Sequence, residues 1–195
     1  MSEQDALSRR TLLATPALLA FAGTAACAQE GGARRAGAGR TLVAYLTRSG
    51  NTRVIAKTLQ RELRADLFEI RTARPYPEDY EQHVAQATRE RDGGIEPPLD
   101  ARVEEIAKYE ELFLGFPIWG ETAPAPLRSF LRAHQLTGKT VRPFITHGGY
   151  GPGDATDVLA SLAPGARIEK PFVLECDQER RTLDQIRSWL GQIEG

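Results

Sequence analysis

The segment at residues 47–52, Thr-Arg-Ser-Gly-Asn-Thr, combines residue types that bind an anion. It follows an apolar run and precedes a stretch with helical periodicity, so we expect a turn between a strand and a helix. Backbone N–H groups at a helix start lack partners and lie at the positive end of the helix dipole, which suits a phosphate. Gly50 permits close approach of the backbone, and the further hydrogen-bond donors are Thr47, Ser49, Asn51 and Thr52. The pattern predicts a phosphate site, and the alternative is an ordinary turn with good capping.

Arg48 adds a positive charge to this turn, where it either neutralises a phosphate dianion or faces water. Two other phosphate-binding patterns are missing from the sequence: G-x-x-x-x-G-K-[ST], and G-x-G-x-x-G after the first strand. Nucleotide triphosphate hydrolysis and a dinucleotide site of the usual kind are therefore not predicted. The three histidines are scattered and no C-x-x-C occurs, so neither a Ser-His-Asp set nor a metal site is predicted, and no catalytic residue is assigned.

The elements that would position the turn alternate between short apolar runs and amphipathic stretches. Strands are predicted at residues 41–46, 66–70, 112–116, 141–146 and 168–174. Helices are predicted at residues 52–64, 79–91, 154–162 and 180–193, with a short one near 102–107 and another that carries Leu127, Phe130 and Leu131 on one face. Five apolar strands alternating with helices indicate a doubly wound parallel sheet in three α/β/α layers. Ligands of such sheets lie beyond the carboxyl ends of the strands, where the strand order reverses.

Two further loops follow predicted strands and contain residues suited to a ligand. After the third strand come Pro117, Ile118, Trp119 and Gly120. The Trp119 indole either stacks on a flat heteroaromatic ring or packs on the neighbouring helix. After the fourth strand come His147, Gly148, Gly149, Tyr150 and Gly151. The glycines of this second loop let amide donors approach a ligand closely.

Taken together, the three segments resemble the flavodoxin-like family. Residues 47–52 match that family's loop for the phosphate of FMN. "FLGFPIWGETAPAPLRSFL", residues 113–131, is similar to the segment whose loop packs on the isoalloxazine, and "THGGYGPGD", residues 146–154, to the loop at the flavin's pyrimidine edge. The resemblance covers roughly residues 41–193. It implies the strand order 2-1-3-4-5, FMN as the cofactor, and one- or two-electron transfer through it.

The resemblance also suggests roles for the loop after the fourth strand. Its amide donors would stabilise negative charge near N1 and O2 of a reduced flavin. His147 either adds a positive charge there or bonds to the loop backbone. Tyr150 either stacks on the second flavin face or caps the loop.

The formal net charge of −1 bears on the kind of redox protein. Near-neutral charge gives no reason to expect a nucleic-acid partner. Dedicated low-potential flavodoxins are strongly acidic, because surrounding negative charge disfavours the anionic reduced flavin. The chain lacks that excess, which favours an oxidoreductase acting on a quinone or another small acceptor. The alternative is a non-enzymatic FMN module that carries electrons between protein partners.

The pattern of residues 1–28 is typical of an export signal. Arg9 and Arg10 follow Ser8, and a modest apolar run extends to Ala26 that is too short for a stable membrane span. This arrangement resembles a twin-arginine signal, with cleavage after Ala28 or lipidation at Cys27, the latter being the only expected membrane attachment. We therefore predict an export signal at residues 1–28, a flexible linker at 29–40, a flavodoxin-like domain at 41–195, and a periplasmic or cell-envelope location. The alternative is an N-terminal hydrophobic helix that stays on the protein.

Overall fold

A computed structural model of the chain describes residues 40–176 and 179–193. The predicted export signal lies outside the described residues, as does the predicted linker apart from Arg40. Within the described part, no helix is both long and apolar enough to cross a membrane.

The described elements alternate between strands and helices as predicted. The strands are β1 (Arg40–Tyr45), β2 (Asp66–Glu69), β3 (Tyr109–Pro117), β4 (Thr140–His147), β5 (Arg167–Ile168) and β6 (Phe172–Glu175). The α-helices are α1 (Asn51–Leu63), α2 (Tyr80–Asp92), α3 (Ala125–Ala133), α4 (Ala155–Leu162) and α5 (Glu179–Ile193). The strands pair in parallel in the order β2-β1-β3-β4-β5, with β6 also paired to β4. The predicted fold class and strand order are confirmed.

Two predicted elements differ from the structure. The fifth strand, expected as one run, is divided into β5 and β6, which pair with successive parts of β4. Pro171 lies between the two strands. Proline has no backbone N–H to donate to a neighbouring strand, and it restricts the backbone conformation of the residue before it. The short helix expected near residues 102–107 is a single 3₁₀ turn at Ile106–Lys108.

The period-two alternation of strand side chains builds a core on each face of the sheet. One core packs β1 and β3 residues such as Leu42 and Leu114 against α3 and α4. The other packs Val43, Phe113 and Phe144 against α1 and α5. Helix α2 is an exception, because its two buried residues, His83 and Glu90, are both polar.

His134, just after α3, is expected to make stability depend on pH. Its Nδ1 lies 2.8 Å from the Phe130 carbonyl, and its Nε2 accepts the Val103 N–H at 3.0 Å. The imidazole is therefore neutral, with the proton on Nδ1. Burial lowers the pKa of His134, and the positive charge of Arg102 lowers it further. The hydrogen bond with the Phe130 carbonyl raises the pKa but does not outweigh burial. Because the unfolded chain takes up a proton below its ordinary pKa of about 6.5 while the folded one does not, stability present above that pH is lost as the pH falls.

We expect His134→Gln to flatten the fall in unfolding free energy below about pH 6.5, by at most about 1.4 kcal/mol per pH unit. Urea unfolding of both proteins between neutral and mildly acidic pH measures this slope. The pKa of His83 is also lowered, so the variant keeps part of the pH dependence. Equal slopes in the variant and the parent protein would contradict the assignment.

Candidate functional site

The three predicted loops lie side by side because they follow adjacent parallel strands. In the register of the sheet, Tyr45 pairs with Gly115, and Pro117 pairs with Thr146. Residues 47–52 follow β1, residues 117–120 begin at the last residue of β3, and residues 147–151 begin at the last residue of β4. A hydrogen bond from Ile118 N to Thr146 O, 2.9 Å long, joins the last two segments. The carboxyl edge of the sheet therefore brings the predicted site residues into one region.

The turn after β1 leaves the start of α1 open to an anion. Gly50 precedes the helix with φ of 98°, a left-handed conformation that favours glycine, and its N–H donates to Thr47 Oγ1 at 3.1 Å. Within the described structure no side chain caps α1, and its first turn has no acidic residue. The N–H groups of Asn51, Thr52 and Arg53 precede the first intrahelical hydrogen bond and lack helical partners. The alternative of a well-capped turn is not found, and these donors fit a phosphate.

Thr52 also connects this turn to β4. Its hydroxyl lies 2.9 Å from the hydroxyl of Thr146, and each residue is only 1% exposed. One hydroxyl donates to the other, so one of the two protons remains for a further acceptor. The contact fixes the start of α1 over the end of β4.

Arg48 does not lie over the turn. Its guanidinium stands 5.1 Å from the centre of the Tyr80 ring and donates to the Glu78 carbonyl at 3.4 Å. The side chain is exposed, and it leans toward the loop between β2 and α2. The phosphate donors described above are therefore supplied without Arg48.

Trp119 packs on residues of α2 and of the loop before it. Its ring centre lies 4.4 Å from that of His83 and 5.1 Å from that of Tyr76, both with the rings edge to face. The indole is half-buried. Of the two alternatives for Trp119, packing on the neighbouring helix is the contact present here, and the remaining exposed part is where a ligand ring could lie.

A buried carboxylate holds this aromatic group in place. Glu90 is 7% exposed and accepts hydrogen bonds from the Tyr76 hydroxyl and, at 2.9 Å, from Gln86 Nε2. Burial, followed by the Glu90 hydrogen bond and charge, raises the pKa of Tyr76, so its proton stays in place. Sequence reasoning missed His83 and Glu90. The available signal was the polar stripe of His83, Gln86 and Glu90 at i, i+3 and i+7 on one helix face.

The loop after β4 is organised by His147. Its Nδ1 accepts hydrogen bonds from the N–H groups of Gly149, at 3.0 Å, and Gly151, at 3.2 Å. The structure therefore has the histidine bonded to the loop backbone, and Nδ1 carries no proton in this arrangement. Of the amide donors expected to approach a ligand in this loop, those of Gly149 and Gly151 already donate to the imidazole. The Tyr150 side chain is 86% exposed.

The loops after β3 and β4 are fastened to each other. Asp154 N donates to the Glu121 carbonyl at 3.2 Å. Gly153, with φ of 52°, lies so close that a Cβ there would be 1.8 Å from the same carbonyl oxygen. Residues 40–176 and 179–193 contain no group of three His, Cys, Asp or Glu side chains suited to a metal ion.

Comparisons with known proteins agree with this architecture. A candidate flavoprotein of Bacteroides eggerthii is 31% identical with a TM-score of 0.69, over 80% of this chain and 99% of its own. Another from Bacteroides uniformis is 28% identical with a TM-score of 0.68, over 77% and 99%. A Lactobacillus acidophilus flavoprotein solved in complex with FMN is 19% identical with a TM-score of 0.61, over 75% and 99%, and shows likeness of fold alone. Curated protein sequences gave no match.

A sequence profile of flavodoxins matches residues 40–193, which is most of the chain and includes all three loops. With the strand order and the phosphate-type turn already described, this match identifies the protein as a member of the flavodoxin family.

Proposed function

We propose that the protein binds FMN at the carboxyl edge of the sheet and acts as an oxidoreductase that reduces a quinone or another small acceptor. FMN, when bound, supplies the reversible uptake of one or two electrons. The observation that carries the proposal is the start of α1, where three amide groups have no side-chain cap. Family membership and the FMN complex of the Lactobacillus acidophilus protein support the same cofactor.

Different loops of this chain would bind the phosphate end and the ring end of the cofactor. The turn at residues 47–52 would hold the phosphate with amides and hydroxyls. The half-buried Trp119 would border the ring system and shield it from water. In the loop after β4, the amides of Gly148 and Tyr150 remain for ligand contacts, since His147 accepts those of Gly149 and Gly151.

Replacing Ser49 with alanine is expected to weaken FMN binding about tenfold, because a hydroxyl bonded to a charged phosphate contributes on the order of 1.5 kcal/mol. Ser49 is exposed, so its removal should leave stability unchanged. Flavin fluorescence during titration of the protein into FMN measures the affinity. Ser188→Ala, an exposed serine on α5, is the matched control and should bind FMN like the parent protein. An unchanged affinity in Ser49→Ala would count against phosphate binding at this turn.

Electron transfer between protein partners is the second function to consider. Tyr150, in the loop after β4, is 86% exposed, and Tyr80, which contacts Arg48, is 66% exposed. Large exposed aromatic side chains suit a docking partner. Turnover of NAD(P)H with a soluble quinone separates the two functions. Sustained turnover supports the reductase, whereas an FMN-loaded protein that turns over no small acceptor supports the carrier.

We also propose that the protein is exported through its twin-arginine-type N-terminus, which lies outside the described residues. Export of a folded protein suits a cofactor that is inserted before transport. Replacing Arg9 and Arg10 with lysine is expected to retain the protein in the cytosol at its full mass. Cell fractionation and mass spectrometry of the parent protein and variant measure this, and an uncleaved cytosolic parent protein would refute it.

A further inference from the structure

A cavity of about 660 Å³ opens on the β2 side of the crevice. It is bordered by the turn after β1, the end of β2, the loop before α2, and the side chains of His83 and Trp119. None of its lining residues belongs to the loop at residues 147–151. Its volume is within the range of about 300–1,000 Å³ typical of small-molecule sites. The cavity is therefore formed by residues on the β1 and β2 side of the sheet edge together with Trp119, and not by the loop that follows β4.

His83 is one of the residues that line this cavity. The residue is 4% exposed, and in the described structure its buried Nε2 has no hydrogen-bond partner. The Pro77 carbonyl beside the ring raises the pKa of His83, so we assign the ring proton to Nδ1, which leaves Nε2 as the acceptor. Burial lowers the pKa of His83, the Arg48 charge adds to this and Glu90 opposes it, so the ring is neutral near pH 7. A buried acceptor without a partner is uncommon and calls for a donor.

The walls of the cavity favour a flat, uncharged molecule. Ile70, Pro75, Tyr76 and Trp119 provide apolar and aromatic surface. The charges at the rim are mostly paired. Arg71 lies 3.2 Å from Asp100, and Glu69 lies 2.7 Å from Arg53.

Arg48 distinguishes among possible donors. Its described contacts are the Glu78 carbonyl and the Tyr80 ring rather than a carboxylate. Its positive charge disfavours a cationic amine in the cavity. The same charge favours an acidic hydroxyl, because the oxygen gains negative character as its proton is shared with the imidazole.

We propose that this cavity binds a hydroxylated aromatic ring of the phenol or quinol class, with its O–H donating to His83 Nε2 and its ring packed against Trp119 and Tyr76. Because Nε2 is buried, binding includes a displacement of the half-buried Trp119 indole, whose ring centre lies 4.4 Å from that of His83. A quinol is the reduced product of a quinone, and in that respect the inference rests on the proposed function. The binding chemistry itself depends only on the cavity.

The test uses the full chain loaded with FMN and two probes that differ in the hydroxyl proton. Calorimetry should show 1,4-dihydroxybenzene binding at least about fivefold more tightly than 1,4-dimethoxybenzene, which keeps the ring but cannot donate. His83→Phe keeps a ring beside Trp119 and should lower the affinity for the diol about 2- to 12-fold while leaving the diether unchanged. His134→Gln alters a buried histidine outside the cavity and should change neither affinity.

Three results would overturn the inference: equal affinity of the parent protein for both probes, an unaltered diol affinity in His83→Phe, or competition between FMN and the diol. The first comparison needs no variant, so it stands even if His83→Phe folds poorly. FMN affinity is measured separately in each sample. A parent protein that does not bind FMN would refute the proposed function. In that case, diol binding to the FMN-free protein would still test the cavity.

Discussion

Replacing Thr52 with valine is expected to weaken FMN binding about 10- to 150-fold. The substitution keeps the shape of the side chain and removes its hydroxyl, which lies at the start of α1. Thr52 and Thr146 use one hydroxyl proton for the hydrogen bond between them, and the second proton remains available for a ligand. A hydrogen bond to a charged group contributes about 1.5–3 kcal/mol, which corresponds to this range of affinity. Flavin fluorescence titration measures the loss.

The same variant is expected to be less stable by about 1–3 kcal/mol, because the buried Thr146 hydroxyl loses its partner. The double variant Thr52→Val with Thr146→Val separates the two effects. It removes both hydroxyls, so its stability should return close to that of the parent protein while FMN binding stays weak. A Thr52→Val protein that binds FMN normally would mean that the phosphate lies away from this hydroxyl.

Replacing Gly115 with alanine is expected to destabilise the protein by about 1–3 kcal/mol. Gly115 lies in β3 beside Phe144 of β4, and a Cβ at this position would stand 2.0 Å from two carbons of the Phe144 ring. Phe144 is fully buried between the sheet and its helices, so the ring has little room to move. Urea unfolding measures the change in free energy.

Two companion variants test whether this contact is the cause. Gly191→Ala in α5 makes the same substitution where a Cβ meets no atom within 4 Å. It should stabilise by about 0.5–1 kcal/mol, because alanine is the better helix former. Shortening the neighbour, as in Gly115→Ala with Phe144→Leu, should recover part of the loss. If Gly115→Ala were as stable as the parent protein, the packing described between β3 and β4 would be wrong.

The arrangement around Trp119 suggests how one side chain could serve two neighbouring sites. Tyr76 and His83 contact the indole from the α2 side, and Glu90 fixes Tyr76 through its hydroxyl. Trp119 belongs to the loop after β3, which is joined to the loop after β4 through Glu121 and Asp154. A substitution at His83 is therefore expected to act on the cavity first, and on the flavin side only through the indole.

The polar inner face of α2 has an energetic consequence for this region. Most helices of the fold bury an apolar stripe, whereas α2 buries His83 and Glu90. Such groups stabilise the packing only when their hydrogen-bonding capacity is satisfied. Glu90 is satisfied by Tyr76 and Gln86, while Nε2 of His83 is not. That difference is the physical reason for assigning a ligand to the histidine and a structural role to the carboxylate.

Local pattern determined most of the fold and the position of the phosphate-type turn. Strand alternation and helical spacing act over a few residues, and Gly50 with its hydroxyl neighbours forms a turn within one short segment, so both could be read from the sequence. The strand order came from the resemblance of three loops and agrees with the structure. The division between β5 and β6 also has a local cause in Pro171, and the charged residues Glu169 and Lys170 before it already interrupt the apolar pattern, so this division could have been read from the sequence.

Only the tertiary structure decided the partners of the site residues. Trp119 could stack on a ligand or on a helix, and the choice depended on Tyr76 and His83, which are distant in sequence and meet it only when the sheet edge forms. The tautomer of His147 likewise depended on how its loop folds back to place two amides on Nδ1. Sequence periodicity reports which side chains are buried, whereas hydrogen bonding and ring contacts depend on distances between segments that the packed chain alone brings together.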